Sequence, residues 1–313
     1  MQKSAVPVLL ASVLTWALLL VCSRALVIGL GLDPWMFTFL QMGSGGLFFI
    51  VISQGAEVGV TALLRLDTWL IGIFRVGTAA LYMAALIHVD VLQAGFFGAI
   101  GVPVSALAVC FLFNRQPTRL EMIGHVPLVA GSAITAFGFD GSLENPALFL
   151  LVLSQICVLS ASLFAERHPH MTALAPRTRL RLTGIVLLLT AIGFALWRMI
   201  QSAAGWTDSA DFMELMRPEL WVAGLGLGIT LRGLATYLGF RAAAVAGTHN
   251  YLAAVLVLPM VGALLECIVA LYGYGAWPEI GPVQIIAGAF IVCGGAVVIY
   301  ARKRAGKMAT RAD

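Results

Sequence analysis

Charged side chains are scarce in this chain of 313 residues. Asp, Glu, Lys and Arg together make up 11% of it, whereas soluble globular proteins average about a quarter. So few charged groups do not cover a surface that faces water, which excludes an ordinary soluble fold. Hydrophobic residues are abundant instead, at 60% of the chain, and the mean hydropathy is +0.96. The lipid bilayer is therefore the predicted solvent of the folded protein.

The motifs of ATP-driven pumps and of common enzymes are also missing. The sequence contains no GxxxxGK[ST] phosphate loop, no HExxH pair and no nucleophile motif. The stretch ERHPH (166–170) has no second ligand cluster, and we interpret it as part of a basic loop. We predict no catalytic residue, no cofactor and no metal site. The five cysteines lie in apolar segments without metal-ligand spacing, and we expect buried apolar residues at Cys22, Cys110, Cys157, Cys267 and Cys293.

Ten apolar segments run through the chain, each of about 17–25 residues, the length that crosses the hydrocarbon core as a helix. They are continuously apolar rather than alternating, which favours helices over barrel strands. We expect the first segment to be retained, since it lacks a small-x-small cleavage site. The segments cover residues 5–24, 34–53, 68–87, 91–112, 121–138, 146–164, 181–200, 220–242, 248–272 and 282–301. The sequence thus predicts an all-α integral membrane protein with ten transmembrane helices.

Lysine and arginine are unevenly divided between the two sides of these spans. If both termini lie on one side, 14 of the 19 basic residues share that side and three lie opposite, namely Arg24, Arg198 and Arg217. Since basic loops stay in the cytoplasm, we predict cytoplasmic termini and a bacterial inner (plasma) membrane location. The net charge of +4 then reflects topology, and we expect no nucleic-acid partner. The expected partners are the bilayer and a small-molecule substrate, with a monomer or homodimer as the assembly.

The two halves share a proline followed by two glycines spaced seven residues apart. These are Pro103 with Gly124 and Gly131, and Pro259 with Gly288 and Gly295. A spacing of seven puts both glycines on one helix face, where helices can approach closely. The copies begin five spans apart, so the second is inverted, as in many secondary transporters. We predict two inverted five-helix repeats and a basic cytoplasmic tail, over residues 1–145, 146–304 and 305–313.

Three stretches resemble a known transporter family. "LTWALLLVCSRAL" (14–26) carries a tryptophan at Trp16, "ALYMAALIHVDVLQAGFFGAIGVPVSAL" (80–107) has a Tyr…Ala-Leu…Pro pattern, and "TYLGFRAAAVAGTHNYLAAVLVLPMVGAL" (236–264) repeats it. With the topology and the repeat, the chain resembles the EamA-type, ten-helix branch of the drug/metabolite transporter superfamily. It departs from the family in having Gln41 where arginine is common, Gln116 where glutamate is common, and about seven extra residues at 272–278.

The resemblance implies a transporter of small metabolites or amines, in which two five-helix halves enclose a central cavity. We predict a secondary transporter, an exporter or exchanger working by alternating access. An amino acid or organic anion is favoured over a cation, because two arginines and one acid lie within the spans. A non-transporting assembly or sensor protein with the same fold is the alternative, and a membrane-embedded enzyme is less favoured.

Three charges are predicted within the membrane: Arg75, Arg232 and Glu266. Since charge in hydrocarbon is costly, each needs a partner or a water-filled cavity. The arginines are candidates for binding a substrate carboxylate or phosphate, or for holding helices together. Glu266 is a candidate for proton coupling, for an amine contact or for an ion pair with one of these arginines, and a place near the outer interface is also open.

Five uncharged residues complete the predicted substrate-binding set. Asn250, which follows His249 at the head of the ninth segment, either caps a helix or contacts substrate. Gln155 lies in the middle of the sixth segment and either contacts substrate or joins two helices. The aromatic residues of the set, for which ligand stacking and core packing are both open, are Tyr82, Tyr237 and Trp16.

Overall fold

The computed structural model describes residues 5–113, 116–138, 145–168, 175–206, 211–246, 251, 254–274 and 277–309. Over these residues the chain is helical and has no β-strand, which confirms the all-α prediction. The helices of the amino-terminal part are α1 (Ala5–Leu30), α2 (Pro34–Ile52), α3 (Val60–Leu63), α4 (Leu66–Leu86), α5 (Val91–Gly98), α6 (Gly101–Phe113) and α7 (Arg119–Phe137). Those that follow are α8 (Pro146–Arg167), α9 (Pro176–Ala203), α10 (Asp211–Leu215), α11 (Pro218–Leu227), a π-helical turn (Gly228–Arg232), α12 (Gly233–Ala246), α13 (Leu258–Leu271) and α14 (Pro282–Ala309).

Nine helical spans in the described part of the chain are long and apolar enough to cross a membrane. The helices α5 and α6 together form one of them, and α11, the π turn and α12 form another. Large apolar side chains face outward along them, as expected against lipid; Phe111 is 84% exposed. The ninth predicted segment contains the shorter apolar helix α13, and its beginning lies partly outside the described residues. An integral membrane protein is confirmed, while the count of ten spans stays a prediction.

The fourth predicted segment is interrupted, although the sequence predicts a continuous helix over 91–112. It breaks at Ala99–Ile100, four and three residues before Pro103. Proline has no amide hydrogen for the carbonyl four residues earlier, and its ring crowds that carbonyl. The amides of Ala99 and Ile100 instead bond three residues back, to Phe96 and Phe97. The counterpart Pro259 lies in the first turn of α13, where a missing amide hydrogen does not matter.

The described helices divide into two compact units, and the boundaries fall inside α1, α8 and α12. Unit 1 comprises residues 1–21, 89–149 and 236–313, and unit 2 comprises residues 22–88 and 150–235. Each unit therefore combines helices from both halves of the sequence. The predicted repeats, by contrast, follow chain order, so their boundaries stay a prediction.

Within unit 2, α2 and α9 cross at a pair of glycines. A Cβ atom added to Gly46 would lie 2.7 Å from the carbonyl oxygen of Gly184, and one added to Gly184 would lie 2.6 Å from the carbonyl oxygen of Gly46. Backbone therefore meets backbone at this crossing, and no side chain larger than hydrogen fits. The close approach sets the distance between the second and seventh predicted segments.

Within unit 1, α7 and α14 cross in the same manner. A Cβ atom at Gly124 would lie 3.0 Å from the carbonyl oxygen of Gly294, and one at Gly131 would lie 2.8 Å from that of Ala287. This confirms the close packing predicted for Gly124 and Gly131. The fifth and tenth predicted segments are thus paired as the second and seventh are, which is consistent with an inverted repeat.

The second predicted glycine pair packs differently from the first. A Cβ atom at Gly288 would lie 2.8 Å from the Phe96 ring, and one at Gly295 would lie 2.2 Å from Leu256. Both glycines therefore make room for side chains rather than for another backbone. The α14 glycine that faces the backbone of α7 is Gly294, which the spacing of seven does not identify.

The prediction that the cysteines are buried is wrong. All five are free thiols; four are partly buried and Cys293 is exposed. A helix surface that faces lipid accepts a thiol as a small apolar group. Burial inside the protein is therefore not needed to keep these side chains out of water.

Candidate functional site

Arg232 lies at the end of the π-helical turn and is held by α2. Its Nε donates a hydrogen bond of 3.1 Å to Gln41 Oε1, and its Nη2 donates one of 2.5 Å to the same oxygen. Gln41 Nε2 in turn donates to Ser23 Oγ at 2.8 Å. Gln41 and Ser23 are both fully buried. These contacts form a polar chain, Ser23–Gln41–Arg232, across α1, α2 and the π turn of unit 2.

The local sequence explains why the π turn fits against α2. The stretch GLGLGITLRG (224–233) has glycine at four of its ten positions. A Cβ atom at Gly228 would lie 1.7 Å from Ser44 Oγ, and one at Gly233 would lie 2.5 Å from the Phe48 ring. Glycine at these positions lets the backbone lie directly on α2. Single π-helical turns inside helices are frequent at functional sites.

Arg75, Tyr82 and Gln155 lie on the neighbouring helices α4 and α8 of unit 2, and all three are partly buried. Arg75 and Tyr82 are seven residues apart, so they share one face of α4. Ser154, next to Gln155, donates a hydrogen bond of 3.1 Å to the carbonyl oxygen of Thr78. That bond joins α8 to α4 in the middle of both helices.

Glu266 lies on α13 and is buried, with 4% of its surface exposed. Both carboxylate oxygens accept from the backbone amide of Val91, each at 3.3 Å, at the first turn of α5. A helix N-terminus carries unpaired amides and a partial positive charge, so a carboxylate is favourable there. These hydrogen bonds place Glu266 against the N-terminus of α5, within unit 1, and Arg75 and Arg232 belong to unit 2.

Asp90 caps the same end of α5 and is also buried. Its Oδ1 accepts from the amide of Gln93 at 2.7 Å, and its Oδ2 accepts from the amide of Glu279 at 3.2 Å. The second bond ties α5 to the segment that precedes α14. Two buried carboxylates, Asp90 and Glu266, therefore stabilise one helix terminus in unit 1.

Trp16 and Tyr237 lie in unit 1, on α1 and α12, and are partly buried. A Cβ atom at Gly239 would lie 3.0 Å from the Tyr251 hydroxyl and 3.4 Å from Trp16 Nε1. A bare glycine thus lets two polar aromatic groups approach α12. Asn250 and His249, the residues before Tyr251, lie outside the described residues.

Two of the three arginines predicted on the outer side donate hydrogen bonds to carbonyl oxygens at the ends of helices in unit 2. Arg217 donates to the carbonyl oxygens of Leu30 and Gly31, at 2.6 and 2.8 Å, and pairs with Glu214 at 3.1 Å. Arg24 donates to the carbonyl oxygen of Leu86 at 2.8 Å. Cations at helix C-termini satisfy carbonyls that have no partner within the helix.

The outer loop 201–220 contains the five-residue helix α10, which Arg217 connects to the end of α1. Residues 207–210 of this loop lie outside the described residues. Asp33, at the start of α2, donates its backbone amide to Glu214 at 3.0 Å. The described part of the loop is therefore attached to α1 and α2.

His168, from the ERHPH stretch, is fully buried and contacts the first turn of α4. Its Nε2 lies 2.8 Å from Thr68 Oγ1 and 3.3 Å from Asp67 Oδ1. Since the Thr68 hydroxyl donates to the carbonyl of Ala62, Nε2 carries the proton and donates to Thr68. Asp67 also accepts a hydrogen bond from the exposed side chain of Arg65, and this bond raises the pKa of the Arg65 guanidinium. Among the described residues there is no group of three His, Cys, Asp or Glu arranged for a metal ion.

One groove of about 480 Å³ lies along unit 2, between the end of α1 and α11. Its lining is almost wholly apolar and includes Leu26, Leu30, Val222 and Leu227. None of the predicted site residues lines it. The groove therefore has no evident connection with the polar chain at Arg232.

Comparison with known proteins finds a family match over the amino-terminal part of the chain. Residues 3–137 match the family model of the EamA-like transporter family. This match covers less than half of the chain, and it shows that the amino-terminal part is similar to that family. Proteins of this family are mostly membrane transporters. The match includes the quoted stretches 14–26 and 80–107 and confirms the resemblance there, while the resemblance of 236–264 stays a prediction.

The EamA match ends at residue 137, which is the last residue of α7. A solved structure, described only as a crystal structure of a protein, is similar in fold over both halves of this chain. It is 20% identical with a TM-score of 0.60, over 95% of this chain and 98% of its own. At that identity the likeness shows the fold alone. No curated protein matches the sequence.

The predicted site residues do not include two residues that make the polar contacts described above. The sequence marks Gln41 only as a departure from the family pattern, and Asp90 is not among the predicted site residues. The departure at Gln41 was the available signal for this contact. The sequence has a neutral amide at Gln41, where the family commonly has arginine, and it has an arginine within another span, at Arg232. Asp90 precedes the apolar run of α5, which is the usual position of a helix cap.

Proposed function

We propose that this protein is a secondary transporter, working by alternating access as an exporter or exchanger of a small organic solute. The substrate class we favour is an amino acid or an organic anion. The observation that carries this choice is the Arg232–Gln41 contact, in which an uncharged amide orients an intramembrane guanidinium. A guanidinium so oriented suits a carboxylate, which it can bind through two hydrogen bonds.

The helices on which Arg232 and Gln41 lie contain no acidic residue. The sequence has no Asp or Glu in α2 or anywhere between residues 220 and 246. The helices that hold the guanidinium therefore supply no negative charge of their own. Single π-helical turns inside helices, such as the one that ends at Arg232, are also frequent at functional sites.

Uptake into proteoliposomes tests the proposal. Radiolabelled amino acids and dicarboxylates would be offered to the wild type, to Arg232→Ala and to a control, Arg65→Ala. Arg65 is an exposed arginine, and the loss of a surface ion pair changes stability little. We expect Arg232→Ala to lower uptake at least about tenfold, since a lost buried charge contact costs several kcal/mol, and Arg65→Ala to match the wild type.

Two outcomes would contradict this proposal. Equal uptake by Arg232→Ala and the wild type would remove Arg232 from the site. No uptake of any solute by a folded wild type would favour the alternative, an assembly or sensor protein. A thermal-shift screen identifies a starting ligand, because binding to the folded state raises the melting temperature.

We propose Glu266 as the residue that couples transport to protons. Its buried carboxylate is held at a helix terminus in unit 1, where a change of charge would alter how α13 and α5 pack. Glu266→Gln is expected to abolish accumulation driven by a pH gradient but to preserve exchange of labelled for unlabelled solute. If gradient-driven accumulation persists in Glu266→Gln, its role is to anchor α13 to α5.

The proposed location is the bacterial inner membrane, with both termini in the cytoplasm. The distribution of basic residues supports this, with 14 on the side of the termini and three on the other. Carboxy-terminal fusions to a fluorescent protein and to alkaline phosphatase test it. Fluorescence without phosphatase activity is expected, and the reverse would invert the topology.

A further inference from the structure

The apolar groove of unit 2 lies where α1 ends and α11 begins. Leu26 and Leu30 line it from the last turns of α1, and its wall on α11 runs from Pro218 to Leu227. From Pro218 to Leu227 the helix rises by about 14 Å, because each residue adds about 1.5 Å. That length is about half the thickness of the hydrocarbon core, so the groove has the depth of one leaflet.

The lining of the groove suits an acyl chain. Among the described residues that line it, Glu219 alone carries a charge, and the side chain of Val222 is exposed. In an integral membrane protein, an exposed apolar surface of this kind meets lipid. A chain that moves from the bilayer into the groove gains no hydrophobic free energy, because lipid tails are as apolar as leucine. A preference for one lipid over another must therefore come from the headgroup.

Charges of both signs lie at the end of the groove where α11 begins. Glu219, in the first turn of α11, is exposed. The side chain of Arg217, two residues earlier, is 35% exposed and pairs with Glu214 at 3.1 Å. One arginine and two glutamates give this end a net negative charge, which attracts a cation more than it attracts a further anion.

We propose that the groove binds one aminophospholipid, phosphatidylethanolamine, from the adjoining leaflet. One acyl chain lies between α1 and α11, the ammonium group donates hydrogen bonds to Glu219, and the phosphate lies beside Arg217. Phosphatidylglycerol has the phosphate but no cation for Glu219, and the trimethylammonium group of phosphatidylcholine has no N–H donor. This site does not depend on which solute the protein transports.

Native mass spectrometry of the purified full chain tests the proposal, since the added mass identifies each bound lipid. The protein is mixed with equal amounts of the dioleoyl forms of phosphatidylethanolamine, phosphatidylglycerol and phosphatidylcholine. We expect the wild type to bind more phosphatidylethanolamine than either of the other two.

Gly226→Leu tests the position of the acyl chain. Gly226 lines the groove, and a Cβ atom there meets nothing within 4 Å, so leucine enters the groove without a clash. Leucine is also a better helix former than glycine, so the variant should fold and lose the bound phosphatidylethanolamine. Gly193→Leu is the matched control, because this glycine of α9 is equally open and lies outside the groove. It should bind lipid as the wild type does.

Glu219→Gln tests the headgroup contact. The variant should still bind a lipid, but the ratio of phosphatidylethanolamine to phosphatidylglycerol should fall about two- to fivefold, as expected for the loss of an exposed ion pair. Glu57→Gln removes an exposed glutamate between α2 and α3 and should leave the ratio unchanged. If Glu219 only stabilises the start of α11, its replacement lowers the melting temperature and leaves the ratio unchanged.

Three results would overturn the proposal. They are equal binding of the three lipids by the wild type, wild-type binding of phosphatidylethanolamine by a folded Gly226→Leu, and an unchanged lipid ratio in Glu219→Gln. If Gly226→Leu does not fold, Val222→Phe takes its place, because Val222 is an exposed residue of the same lining. Loss of the bound phosphatidylethanolamine in Val222→Phe then supports the proposal, and wild-type binding overturns it.

Discussion

Replacing Gly184 by alanine should disrupt the crossing of α2 and α9. The new methyl group would lie 2.6 Å from the carbonyl oxygen of Gly46, whereas a carbon–oxygen contact needs about 3.3 Å. The two helices would have to separate locally by about 0.7 Å, the difference between those distances. Both sides of the contact are close to backbone, so no change of rotamer relieves it.

The expected cost follows from this geometry. Overpacking a close contact costs about 1–3 kcal/mol, and a backbone neighbour puts Gly184→Ala in the upper part of that range. Alanine recovers about 0.4–1 kcal/mol by restricting the unfolded chain, so the net loss is about 2 kcal/mol. At about 2–4 °C per kcal/mol, the melting temperature should fall by about 4–8 °C.

Gly193 on the same helix provides the matched control. A Cβ atom there meets nothing within 4 Å, so Gly193→Ala should be neutral or slightly stabilising. Thermal melting of both purified variants in one detergent gives the comparison. If Gly184→Ala melts with the wild type or with Gly193→Ala, the backbone contact is not as close as described and the reasoning is refuted.

Three other substitutions test local contacts. Asp90→Ala removes the cap of α5 and should cost about 1 kcal/mol, read as a lower melting temperature, with Asp90→Asn retaining most of the stability. Arg217→Ala removes the donor to the carbonyl oxygens of Leu30 and Gly31 and should speed hydrogen exchange of the backbone amides around the first turn of α2. Unchanged exchange would show that the hydrogen bonds of Arg217 do not stabilise this region. His168→Ala empties a buried site and leaves Thr68 without its donor, so we expect a loss of about 2–3 kcal/mol; a wild-type melting curve would contradict this.

The sequence predicted where helices lie, because crossing hydrocarbon requires a long apolar run whatever the neighbours are. Predicted segment 146–164 corresponds to α8 (Pro146–Arg167), and 121–138 corresponds to α7 (Arg119–Phe137). The boundaries are close because Thr118 caps α7 and a proline begins α8. The membrane class could be predicted in this way, and the close packing at Gly124 and Gly131 could be predicted from their spacing of seven.

The interruption of helices was only partly predictable. Pro103 was recognised as a family marker, yet the break before it was not predicted, since a proline in a membrane span can also be tolerated. Pro127 lies inside an unbroken α7. The π turn at 228–232 had a signal in its glycines, but glycine alone does not distinguish a π turn from an ordinary close helix contact.

The partners of the membrane charges were decided by the tertiary structure alone. The sequence identified Arg232 and Glu266 as charges that need a partner and suggested an ion pair. In the fold, Arg232 contacts Gln41, 191 residues away, and Glu266 contacts the amide of Val91, 175 residues away. Hydropathy determines that a segment enters the membrane, because the cost of burying it is summed over its own residues. Which polar atom meets which depends on helix rotation and crossing, and these are set by contacts between segments far apart in the chain.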